Sequence, residues 1–178
     1  MVLDRLFGND DDSEELGPRV DPDPVAETSG LRRVLGQMDS LSVEERRFLA
    51  GYAYILVRVA HADRHVSEAE LGAMEREVTS VGQLSEAQGV LVVELARRMN
   101  ALYGATEDYA LTREFARNTT PHQREDLLRA AFTVSGADAG ISEAELAELN
   151  EIGMELGLDV EAVRSIQEEF SDRISEPS

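Results

Sequence analysis

Apolar residues recur along this chain at intervals of three and four, the spacing of one helix face, rather than at every second position. Phe48, Tyr52, Ile55, Leu56 and Val59 form one stripe. Leu71, Met74 and Val78 form the next, followed by Val90, Leu91, Leu95 and Met99. Leu127, Ala131 and Val134 continue the pattern, then Leu146, Leu149, Ile152 and Leu156, then Val163, Ile166 and Phe170. No segment reads as a convincing strand, and no Gly-rich phosphate loop is present. Residues 31 to 174 therefore predict an all-α fold, a compact bundle of about seven helices with short joints. Within the first stripe, the spacing places Tyr52 in the core and Tyr54 on a different, exposed face.

The polar residues between the stripes mark where helices begin. Ser42-Val-Glu-Glu45, Ser67-Glu-Ala-Glu70, Ser85-Glu-Ala-Gln88 and Ser142-Glu-Ala-Glu145 each match a capping box. In that motif the hydroxyl accepts from an orphan N–H of the first turn, and the Glu or Gln accepts from the capping residue's own N–H. Thr120-Pro-His-Gln123 adds a fifth, with Pro121 at the first helical position. Asp159 is suited to cap the last helix.

Shifted by 75 residues, the chain resembles itself. Ala62-Asp-Arg-His-Val-Ser-Glu-Ala-Glu-Leu71 lies over Ala137-Asp-Ala-Gly-Ile-Ser-Glu-Ala-Glu-Leu146, with three differences in ten. Gly82, Glu86 and Ala87 continue in register as Gly157, Glu161 and Ala162. The expectation is two helix–loop–helix units packed about a pseudo-twofold axis. In each loop an aliphatic residue, Val66 or Ile141, plugs into the core and the Ser starts the next helix.

Outside the helical region, residues 1–30 carry a run of acids with Pro18, Pro22 and Pro24, the composition of a disordered tether. Ahead of the acids, Val2, Leu3, Leu6 and Phe7 make one short apolar turn. Residues 175–178 read as a loose end. The helical domain is assigned to 31–174.

Charge narrows the partners. The formal net charge is -19. Nucleic acid and anionic lipid need clustered cations, so both are excluded as partners. Basic proteins and divalent cations are favoured. All 17 basic residues are Arg, which removes Schiff-base and phosphate-loop lysines. The absence of Cys removes disulfides, thiolate metal sites and thiol catalysis, and fits a cytoplasmic protein. Met1 to Gly8 does not read as a secretory signal, and the apolar run from Ala50 to Val57 is too short to span a bilayer.

The candidate chemistry lies in the repeated loops. Asp63 and Glu70, and their counterparts Asp138 and Glu145, are seven residues apart, and a reversal of the loop brings each pair together. A carboxylate pair beside a helix start suits a hard divalent cation. It equally suits capping alone, and both readings stay open. An EF-hand fails, because its first and third ligand positions would be Val59 and His61, or Val134 and Gly136. His61, Asp63 and His65 stand at alternate positions and offer a transition-metal set, with Glu70 as a further ligand. Gly136 and Gly140 replace both histidines in the second copy, which favours ordinary surface histidines. His122 follows Pro121 in a first turn, with no nucleophile pattern around it. No asymmetric acid–base pair marks a hydrolase, and no Glu-x-x-His di-iron motif is present.

The Ala62-Asp63 to Glu70 segment, its echo at Ala137-Asp138 to Glu145, and the closing Leu156-Gly157-Leu158-Asp159 resemble the TerB family of tellurite-resistance and stress-response proteins. The resemblance covers roughly residues 31 to 172. It implies a helical, non-enzymatic domain whose acidic residues, here Asp63, Glu70, Asp138 and Glu145, bind a metal. It also implies work with partner proteins in responses to tellurite, phage or other stress. The acidic tether departs from that pattern and leaves open a wider TerB-like relative. The alternative from another class is a metal-free interaction scaffold, and a remote one is a metal-dependent hydrolase.

Overall fold

The helix starts written into the sequence are helix starts in space. The computed structural model describes residues 36, 39–63, 65–104, 107–138 and 140–174. The expected tether over residues 1–30, its apolar turn and the end 175–178 lie outside the described residues, as does Arg64. Among the described residues run seven α-helices: α1 (Val43–Ala60), α2 (Glu68–Gly82), α3 (Glu86–Tyr103), α4 (Asp108–Arg117), α5 (Pro121–Ser135), α6 (Glu143–Glu155) and α7 (Val160–Glu169). A 3-10 turn, Ser171–Arg173, follows. Among these residues there is no named strand, and no helix is long and apolar enough to cross a membrane.

The side chains of Ser42, Ser67, Thr120 and Ser142 each accept from the N–H three residues on, and each residue's own N–H donates in return to the side chain of Glu45, Glu70, Gln123 or Glu145. At Ser85 the Gln88 side chain accepts from the backbone N–H at 2.7 Å. Asp159 accepts from Ala162 N–H at 2.8 Å. Such caps contribute about 1 kcal/mol each. The start of α4 has no side-chain cap on Glu107, which is why no motif announced that helix.

α1 is the axis of the bundle and packs against α2, α3, α4, α5 and α6. It is buried without a break from Tyr52 to Ala60. α5 is the second hub, touching α1, α2, α6 and α7. Its Leu127, Leu128 and Phe132 are fully enclosed, and Phe132 stacks on Phe170 with ring centroids 5.2 Å apart. α2 and α3 approach closely at Gly89, where an added Cβ would stand 2.1 Å from Thr79 Oγ1 and 3.2 Å from the Glu75 carbonyl oxygen.

Two expectations about faces are corrected. On α3 the buried residues are Gln88, Gly89, Val92, Val93 and Ala96. Val90 and Leu95 are exposed, and Leu91 and Met99 are half-buried. The close contact at Gly89 turns the small-residue face inward, so the bulkier stripe faces out. Tyr54, expected at the surface, is buried, because its hydroxyl donates to Asp108 at 2.6 Å from across the α1–α4 contact.

The two acidic loops plug in unequally. Ile141 is fully buried, whereas Val66 is half-buried. Gly140 adopts φ 103°, a left-handed backbone that a side chain would strain. Ile141 also forms an isolated parallel bridge with Ile174, its N–H donating to the Arg173 carbonyl at 2.7 Å.

Candidate functional site

The capping boxes of α2 and α6 bury one carboxyl at the start of each helix. Glu70 and Glu145 are 3% and 4% exposed. Each carboxylate accepts from a capping N–H, Ser67 to Glu70 at 2.7 Å and Ser142 to Glu145 at 2.8 Å. The Glu145 carboxyl is near enough to act on the Glu70 carboxyl. A buried carboxyl with another carboxyl nearby resists ionising. Burial therefore raises the pKa of Glu70 to about 7, opposed by the Ser67 bonds and reinforced by Glu145.

The aspartates are exposed where the two glutamates are buried. Asp63 is exposed, and its Oδ1 accepts from His65 N–H at 2.8 Å. Asp138 is exposed on the second loop. The pairing of Glu70 with Glu145, across the two copies, could not be read from spacing within either loop. Among the described residues no three His, Asp or Glu side chains are gathered around a point where one ion would reach them all.

His61, the remaining predicted site residue, belongs to a different feature. Together with Arg58, Ala62, Asn100, Gly104, Asp108 and Glu148 it lines an open cleft of about 270 Å³. The cleft lies where α1 and α3 end, where α4 begins, and against α6. Beneath it, Arg58 Nε donates to Glu148, and Nη1 donates to Glu155 and to Thr112 Oγ1 at 3.0 Å. Arg58 is 6% exposed and Glu155 7%, so removing either partner would strand a buried charge. The Glu148 pKa is raised by burial against the pull of Arg58, with Glu151 and Asp108 adding repulsion. The His61 pKa is lowered by burial and then by Arg97, so its neutral form is favoured. Its Nδ1 is enclosed without a hydrogen-bond partner.

Sequence reasoning reached His61 but missed Arg58, Asn100, Asp108 and Glu148. The one signal available was an Arg inside an otherwise apolar run of α1, Ile55-Leu-Val-Arg58-Val-Ala60, which calls for an acidic partner elsewhere in the chain.

The family described as "Tellurite resistance protein TerB" matches residues 49–168. No curated protein matches the chain. Among solved structures the chain is similar to a protein of unknown function from Porphyromonas gingivalis W83, at 20% identity and a TM-score of 0.49. That likeness covers 71% of this chain and 90% of the other.

Proposed function

The chain belongs to the TerB family, and from that premise we propose that it is a non-enzymatic binding module of a tellurite-type stress response. In this reading it meets a basic partner protein through the acidic surface of its two repeated loops. The observation that carries the reading is that Glu70 and Glu145, each buried at the start of its helix, act on each other's charge. With the starts of α2 and α6 near each other there, the loops bearing Asp63 and Asp138 act as one electronegative surface. The net charge of -19 adds long-range attraction for a basic surface. A divalent cation is the second occupant for the same loops. It would draw on Asp63 and Asp138, because Glu70 and Glu145 already serve their capping bonds.

The test is isothermal titration of the full chain with an Arg–Gly peptide and, separately, with calcium, magnesium, manganese and zinc. The double variant Asp63→Asn/Asp138→Asn is compared with Glu86→Gln/Glu161→Gln, which removes the same charge from exposed helix starts elsewhere. Selective loss of peptide affinity in the first variant supports the partner reading, and selective loss of ion binding supports the cation reading. Equal losses in both variants, or no binding of either kind, would overturn the assignment to the loops.

A further inference from the structure

We propose that the outward face of α3 is a docking surface for a second copy of this chain, seated on it antiparallel about a twofold axis. This goes beyond the acidic-loop reading and does not rest on it.

The surface is an apolar row on a helix that is covered on one side. α3 packs against α1 and α2, and the face it turns inward holds Gly89, Val92, Val93 and Ala96. Its bulkier residues lie on the other side. Leu91, Leu95, Arg98 and Leu102 follow one another at steps of four, three and four, which lines them up along one side of a helix. Leu91 is half-buried, Leu95 is 42% exposed and Leu102 is 73% exposed. Val90 and Tyr103 are exposed on the same helix. The other exposed large apolar residues among those described, Val43, Val81, Tyr109, Met154 and Val160, are scattered over α1, α2, α4, α6 and α7, one to each. A helix that is apolar on opposite sides is suited to be covered on both, and an exposed apolar row of this kind marks an interaction surface.

Charge and symmetry select the occupant. Two copies, each with a net charge of -19, repel unless they meet where the local charge cancels. α3 carries Glu86, Glu94, Arg97 and Arg98, two of each sign, whereas α6 carries five Glu and no cation. A basic partner is therefore drawn to faces such as α6 rather than to α3. The apolar row is also its own complement. Read in reverse it has the same spacing, so an antiparallel copy sets Leu91 against Leu102 and Leu95 against the stem of Arg98. Glu94 and Arg98 lie two positions to either side of Ala96, so the same twofold sets Glu94 of each copy opposite Arg98 of the other. A parallel copy would set Glu94 against Glu94. Within one chain Glu94 accepts from Arg98 at 2.9 Å and from Arg97 at 3.3 Å. A carboxylate has about four acceptor sites, enough to take a third donor from the second copy.

The test is sedimentation velocity of the full chain from about 5 to about 500 µM in about 0.15 M salt. The parent is expected to pass from monomer to dimer within that range. Leu95→Gln/Leu102→Gln, which puts a polar helix former at two exposed positions, should raise the dimer Kd at least about tenfold. Met154→Gln, which changes an exposed apolar residue on α6, should leave it unchanged. Charge reversal distinguishes a second copy from any other occupant. Glu94→Arg alone and Arg98→Glu alone each set like charges across the twofold and should sediment as monomers, whereas an equimolar mixture of the two should dimerise as the parent does. That rescue also guards against a variant that is monomeric only because it folds poorly. A parent that is monomeric at every concentration would overturn the proposal and leave the face to a partner of another sequence. A dimer indifferent to the glutamine pair, or a charge-reversed mixture that stays monomeric, would overturn it as well.

Discussion

Replacing Glu70 by Gln asks whether the buried carboxyl pair costs the fold stability at neutral pH. The side chain is 3% exposed, and its pKa rises from 4.5 to about 7 through burial, with Glu145 beside it. A folded-state value above the unfolded one means that the native protein binds the extra proton between those two pH values. Stability from this group is therefore fully present below about pH 4.5 and is lost as pH rises through 7. At about 1.4 kcal/mol per unit, the full swing is of order 3 kcal/mol. Because the shift belongs jointly to two coupled carboxyls, about 1–3 kcal/mol is the range to expect in practice. Glutamine reproduces the protonated form. Its oxygen can still accept from Ser67 N–H, and its amide can donate to Glu145. Glu70→Gln should therefore raise stability at pH 8 by about 1–3 kcal/mol and leave it nearly unchanged at pH 5. For a chain of this length that corresponds to roughly 2–4 °C in Tm per kcal/mol. The assay is urea unfolding of both proteins at several pH values from 5 to 8. The difference between the curves is read, so that titration elsewhere, including Glu148 and Glu77, whose burial raises them too, cancels. A variant that is less stable at pH 8, or that keeps the parent's full slope between pH 5 and 8, would refute the account of a buried, proton-holding Glu70.

Two further outcomes follow from the packing. Arg58→Met leaves Glu155 buried and unpaired and Glu148 without its main partner, so a loss of about 3–5 kcal/mol is expected in urea unfolding; a loss under about 1 kcal/mol would mean that water reaches the acids. Gly89→Ala forces a methyl group against Thr79 Oγ1 and the Glu75 carbonyl, and should cost about 1–3 kcal/mol, measured as a lower thermal midpoint with α2 and α3 the first segments to exchange amide hydrogens.

Much of this fold could be read locally. Ser42, Ser67, Thr120 and Ser142 declared their helices because a capping box is complete within four residues. The core stripes of α1, α5, α6 and α7 held because their large apolar residues face the bundle. The reading failed where the deciding partner is distant in sequence. Tyr54 is buried by a hydroxyl bond to Asp108, 54 positions away. On α3, Gly89 draws α2 close and reverses the preference for bulky residues inside. The site divides in the same way. His61, Glu70 and Glu145 were visible as motif members, but the contact joining Glu70 to Glu145 and the acids that answer Arg58 depend on how the helices assemble.

The bridge between Ile141 and Ile174 makes the two repeated loops mechanically different. Arg173 and Ile174 are stitched to the Asp138 loop, and among the described residues no isolated bridge holds the Asp63 loop in that way. Tension applied at Ile174 reaches the Asp138 loop directly and the Asp63 loop only through the body of the bundle.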